Sequence, residues 1–151
     1  MNENTINLIK EKLGSKIKKF VEYNPKRFYI DILPSDVVSA AKILFVELQL
    51  RFIIATGIDR PDGLEILYHF SDDKSGSVIS VRVLIADKEK PEIETISKIV
   101  KGAEWIEREM WELLGINFSG HPNLKHLLLR DDWPEKNYPL RQGQGEGRKN
   151  V

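Results

Sequence analysis

RFIIATGIDRPDGLEILYHFSDDKSGSVISVRVLIA, running from Arg51 to Ala86, holds three stretches dense in branched and aromatic residues. They are Arg51 to Ile58, Leu64 to Ser71 and Val78 to Ala86. In the second, Leu64, Ile66, Tyr68 and Phe70 alternate with Glu65, Leu67 and His69. In the third, Ile79, Val81, Val83 and Ile85 oppose Ser80, Arg82 and Leu84. A period of two puts successive side chains on opposite faces of a strand, so one face is buried and the other wetter. Pro61-Asp62-Gly63 has turn chemistry between the first two, and the polar run Ser71 to Ser77 separates the second from the third. These are consecutive strands of one sheet, and its apolar face requires a covering layer.

Helices for that layer lie on both sides. Upstream, Ile6, Leu8, Ile9 and Leu13 make a helical stripe over Thr5 to Leu13, closed by Gly14. Lys16 to Glu22 and Arg27 to Leu33 read as two strands around an Asn24-Pro25 turn. Pro34-Ser35-Asp36 opens a longer helix to about Leu50, with Ser35 as its N-cap and Val37, Ala40, Ala41, Leu44, Phe45 and Leu48 on one face. Downstream, Glu92 to Val100 reads as a short helix, and Ala103 to Leu114 as a second beyond Gly102. The order α-β-β-α-β-β-β-α-α predicts an α+β fold: an antiparallel or mixed sheet with helices packed on one face, followed by an extended irregular C-terminal segment. Residues 1–115 form the expected α+β domain, 116–141 an extended partner-docking segment, and the Gly-rich 142–151 a flexible tail.

Composition narrows the function. A chain of 151 residues suits one domain with a real core. Its 23 basic and 23 acidic residues balance and are interspersed, which argues against nucleic acid or anionic lipid as a partner. With no cysteine, disulfides, thiolate zinc sites and iron–sulfur ligation are all excluded. A reducing, intracellular setting follows, and no secretory signal or membrane-spanning run is visible.

The segment Trp105 to Arg141 carries all three tryptophans and three of the seven prolines. Long irregular segments are uncommon inside compact domains, and one this rich in Trp, Phe and Leu must be buried against something. On a wheel of about 100° per residue, Met110, Leu113 and Leu114 cluster with Ile106 as a core stripe. Trp111 lands away from it, beside Glu104, Glu107 and Arg108. That indole is either covered by the chain's own tail or anchors another polypeptide. Glu109 lies at the edge of the stripe and needs a partner, with Arg130 and Arg141 as candidates.

Catalytic patterns are thin. His121 and His126 with Asp131 and Asp132 nearby offer possible metal ligands, but their spacing matches no ligand motif, so no metal is assigned. The alternative function this leaves is a small metal-dependent hydrolase using His121 and His126. No nucleophile elbow or phosphate-binding glycine loop accompanies Glu107, Glu109 and Glu112.

The same stretch resembles the signature region of the C subunit of NADH dehydrogenase, the respiratory complex I family that includes the equivalent subunits of membrane-bound nickel–iron hydrogenases and related ferredoxin-linked complexes. The matching residues begin with Glu107, Arg108, Glu109, Trp111 and Glu112, with Leu113-Leu114-Gly115-Ile116 following. They continue with Phe118, Gly120-His121-Pro122, Leu124 and Leu128, then Arg130, Asp131, Asp132, Trp133, Pro139, Leu140 and Arg141. The resemblance implies a non-catalytic structural and assembly subunit of an oxidoreductase complex, with no cofactor of its own. It implies packing against a hydrogenase-like large subunit, with iron–sulfur subunits in the same complex. It also implies a peripheral position on the cytoplasmic side of the membrane, with the membrane arm met only indirectly. Interface roles are carried onto Glu107, Arg108, Glu109, Trp111, Glu112, Phe118, His121, Pro122, Leu124, Leu128, Arg130–Trp133 and Pro139–Arg141. Two departures stand out: Glu112 where the family often has Asp, and Gln142-Gly143-Gln144-Gly145 where it commonly continues Lys-Asp-aromatic. The second leans toward an archaeal or hydrogenase-like complex.

Overall fold

A computed structural model describes residues 3–143. In chain order the main elements are α1 (Glu3–Leu13), β1 (Lys19–Asn24), β2 (Arg27–Ile32), α2 (Val37–Ala41), β3 (Arg51–Arg60), β4 (Gly63–Asp72), β5 (Ser77–Ile85), β6 (Glu92–Glu94), α3 (Glu104–Leu114) and β7 (Asn117–Ser119). Five strands form one mixed sheet in the order β1-β2-β5-β4-β3. Only β2 and β5 are parallel within it, and every other neighbouring pair is antiparallel.

Register explains the alternation seen in the sequence. Phe70 pairs with Ile79, Tyr68 with Val81, Ile66 with Val83 and Leu64 with Ile85. On the other side of β5, Phe28, Ile30 and Ile32 meet Ile79, Val81 and Val83. All of these are buried on one face, where they form the core with Ile9 and Leu13 of α1, Val37, Ala40 and Leu44 of the α2 region, and Met110 and Leu114 of α3. The helices thus pack on a single face. The opposite face is polar and half-open: Arg82 donates to Asp31 (3.0 Å), and His69 bridges Ser80 (2.8 Å) and Thr56 (3.3 Å).

Two expected helices differ. The helix expected from Ser35 to Leu50 is α-helical only over Val37–Ala41, continues as a π-helix over Lys42–Glu47, and Ser35 makes no capping bond. The widened turn is closed by Leu48 N–H donating to Ile43 O (2.9 Å). Gln49 then reverses the chain with φ +53°, so Leu50 is buried as well as Leu44. The helix expected over Glu92–Val100 is absent. Glu92–Glu94 instead pairs in parallel with Asn117–Ser119 as a two-stranded sheet. Thr95 N–H donates to Ser119 O (3.0 Å) and Ile96 N–H to the Glu107 carboxylate (2.9 Å), so these donors are taken by tertiary partners. Helical spacing of apolar residues could not show that competition.

Candidate docking surface

α3 is held between two layers. One flank lies on β3, where Gly57 sits so close to Leu114 and Met110 that a Cβ would have to displace the Leu114 side chain. The other flank faces residues 116–141. This second flank is built from charged side chains that are buried: Glu107, Arg108 and Glu112.

Each of the three satisfies backbone that lacks secondary structure. Arg108 donates through Nε to Lys125 O (3.0 Å) and through Nη2 to His126 O (2.7 Å). Glu112 accepts N–H bonds from Leu127 (3.0 Å), Leu128 (2.7 Å) and Leu129 (3.2 Å), with His126 Nδ1 at 3.2 Å. Burial alone pushes the Glu112 carboxyl up, but these donors more than offset it and hold it below its usual range. Glu107 accepts from Thr95 Oγ1 and Ile96 N–H. There burial wins, and the carboxyl is raised from 4.5 to about 7. The Tyr68 hydroxyl, buried without a partner among the described residues, is pushed well up by burial and by the charge of Glu107.

His121 is a structural clamp. Its Nε2 donates to Glu104 O (2.9 Å) and its Nδ1 accepts Asn123 N–H (3.0 Å), roles assigned from these partners. With both ring nitrogens bound to backbone and His126 turned to Glu112, the hydrolase alternative has no ligand set here. Among the described residues no three His, Asp or Glu side chains are grouped to hold a metal ion.

The end of the segment is tied down separately. Leu140 N–H donates to Leu113 O (3.0 Å), while Arg141 donates to Leu114 O (2.6 Å) and Lys88 O (2.7 Å). Gln142 N–H donates to Asp59 Oδ2 (2.7 Å), and Lys88 also pairs with Asp59. Arg130 pairs with its near neighbour Asp132 (2.8 Å). Neither Arg130 nor Arg141 meets Glu109, contrary to expectation. Asp59, Lys88, Thr95 and Tyr138, all absent from the sequence-based site, prove to be anchor points, and no spacing or motif in the sequence marks them.

The expected interface residues therefore divide. Glu107, Arg108, Glu112, Phe118 and the His121 side chain are buried within this chain, where they anchor its own segments. Trp111 is half-buried, its ring 5.4 Å from that of His126. Pro122, Leu128, Arg130, Asp131, Asp132, Pro139 and Leu140 face outward, while Leu124 and Trp133 are half-buried. Trp105, not among the expected interface residues, is 63% exposed. Trp111, His126, Trp133 and Tyr138 line a cavity of about 330 Å³. Of the flexible tail expected over residues 142–151, Gln142 is bonded to Asp59, and residues 144–151 lie outside the described residues.

Residues 30–147 match the family model described as respiratory-chain NADH dehydrogenase, 30 Kd subunit. The chain belongs to this family. The 30 Kd relatives include the C/D subunit of NADH-quinone oxidoreductase from Phocaeicola vulgatus, 44% identical over 92 residues, covering 60% of this chain but 17% of that protein. The C subunit from Chloroherpeton thalassium is 31% identical over 146 residues, covering 93% of this chain and 60% of that one. Its counterpart from a Chelativorans species is 30% identical, covering 89% and 68%. The chain thus spans under a fifth of the C/D relative and about half to two thirds of the relatives that are C subunits alone. Two solved structures share the fold. A chain of the membrane-bound sulfane sulfur reductase, an archaeal respiratory membrane complex, superposes with TM-score 0.74 at 23% identity, covering 92% of this chain and 82% of that one. The trypsin-resistant fragment of Nqo5 gives TM-score 0.62 at 21% identity, covering 79% and 98%. No helix among the described residues is long and apolar enough to cross a membrane.

Proposed function

We propose that this 30 Kd-type protein is a non-catalytic structural and assembly subunit in the peripheral arm of a complex I-like (NADH- or ferredoxin-linked quinone oxidoreductase) or membrane-bound hydrogenase-like complex. It packs against the hydrogenase-like large subunit, lies near iron–sulfur subunits, sits on the cytoplasmic side of the membrane, and reaches the membrane arm only through its neighbours. One observation carries the reading. The family's signature segment is clamped by its own α3 and yet turns Leu128 (65% exposed) and Leu140 (55%) outward, while α3 itself exposes Trp105. A rigid irregular ribbon offering apolar and charged side chains is preorganised for docking, because its ordering cost is already met within the chain. The nearby aromatic-lined cavity suits an inserted side chain.

The test is co-expression with the large subunit. Replacing Trp105 by Ala together with Leu128 by Asp should cut recovery of the pair by about tenfold or more, as expected for loss of interface anchors. The melting temperature of the isolated variant should stay near that of the parent. Undiminished recovery overturns this assignment of the surface.

A further inference from the structure

The sheet ends in two edges of different character. The β1 edge is short, carries Lys19 and Glu22, and shifts register between Glu22 and Asn24. Charges and bulges are the means by which natural sheets blunt an edge. The β3 edge has ten residues, and its middle, Phe52-Ile53-Ile54-Ala55-Thr56-Gly57-Ile58, contains no charge. The charged residues stand only at its ends, and each is engaged inside the chain: Arg51 with Asp73, Asp59 with Lys88, Arg60 with Glu65. A bulge lies near the start, between Phe52 and Ile54, and from Ile54 to Arg60 the register is unbroken. Ile53, Ile54 and Ile58 are all exposed, and among the described residues no strand pairs with the outer side of β3.

α3 flanks this edge. A groove of about 330 Å³ runs between them, lined by Ile54 to Gly57 on the strand and by Ile106, Leu113 and Leu140 on the far wall. Glu109 stands in that wall, half-buried, with no hydrogen bond or ion pair among the described residues. A carboxylate drawn partly out of water without a donor is unfavourable until a cation reaches it.

We infer that the groove receives an extended segment of a neighbouring polypeptide, which adds a strand to β3 and sets a lysine or arginine against Glu109. Strand addition draws affinity from main-chain hydrogen bonds and selectivity from what alternate side chains meet. Here the alternate residues on the α3 side are apolar apart from the one cation, matching Ile106 and Leu113 around Glu109. A second copy pairing edge to edge fits poorly, since β3 offers no basic residue between Phe52 and Ile58. The inference rests on the reading above only in taking the neighbour from the same assembly.

Amide hydrogen exchange of residues 54–58 tests it, comparing the free full-length chain with the complex purified with its native neighbours. Exchange in the complex should be about tenfold slower or more, as edge amides become paired. Glu109→Lys should return β3 to free-chain rates, with Glu109→Gln intermediate. Unprotected amides in a complex that contains the chain overturn this inference alone. Protection indifferent to Glu109→Lys overturns it as well. So does protection of the free chain that grows with concentration, which marks a second copy, or that vanishes when residues 144–151 are removed, which marks the chain's own tail. A chain found in no respiratory assembly overturns both this inference and the proposed function.

Discussion

Glu107 and Glu112 lie on the same helix and are both buried, yet they titrate in opposite directions. The difference lies in the donors: three consecutive backbone N–H groups and an imidazole converge on Glu112, while Glu107 has one hydroxyl and one N–H. Glu112→Ala leaves those three N–H groups without an acceptor and should cost about 2–4 kcal/mol in urea unfolding. The loss should be accompanied by faster amide exchange at 127–129. Glu107 gives a pH signature. Its carboxyl rises from 4.5 to about 7, so the folded chain holds that proton more tightly than the unfolded chain does. Stability then falls as pH rises through that window, by up to about 3 kcal/mol. Glu107→Gln should flatten this part of the curve, as read from urea midpoints measured on either side of it. A slope unchanged in the variant would assign the proton to another group.

At the scale of elements, α3 acts as a two-sided spacer, and its ends matter as much as its faces. Gly115 closes it with φ +76°, and the Tyr138 ring lies where a Cβ would go. Gly115→Ala should therefore destabilise by at least about 1 kcal/mol, beyond the usual cost of alanine at a positive φ. The melting temperature of the variant checks this. Several elements were legible in the sequence because their periodicity reports burial directly: β4 and β5 alternate as expected, and Met110 and Leu114 mark the core side of α3. The irregular course of residues 120–141 was legible too, from its composition, whereas the strand at Asn117–Ser119 was not. What held that course was not legible either. Glu107, Arg108 and Glu112 read as a solvated or partner-facing side, because a wheel records polarity and cannot record that backbone amides and carbonyls from elsewhere neutralise it. The same blindness produced a helix over Glu92–Val100, where the deciding groups, Ser119 O and the Glu107 carboxylate, lie far along the chain.

Across the whole molecule, the segment after α3 is joined to the rest at Thr95 and Lys88 as well as along the helix, and its end bonds to Asp59 of β3. Sheet and ribbon should consequently melt as one unit. All three tryptophans lie in or beside the ribbon, whereas far-ultraviolet dichroism reports chiefly the sheet and helices. The two signals should follow a single urea transition with one midpoint. A tryptophan transition preceding the dichroism would show the ribbon to be a separate, weaker layer.

The parallel contact between β2 and β5 has a bearing on how the protein is made. Asp31 and Arg82 meet across some fifty positions of chain, so the β1–β2 pair leaves the ribosome without its parallel neighbour until β5, at the end of the β3–β4–β5 meander, arrives. Helix α3 emerges later still, and with it Arg108 and Glu112, which capture the final stretch. During synthesis the part of the apolar sheet face that α3 covers, on β3, therefore stays open after the strands themselves are complete. That interval is when a chaperone or early assembly partner has the most to shield.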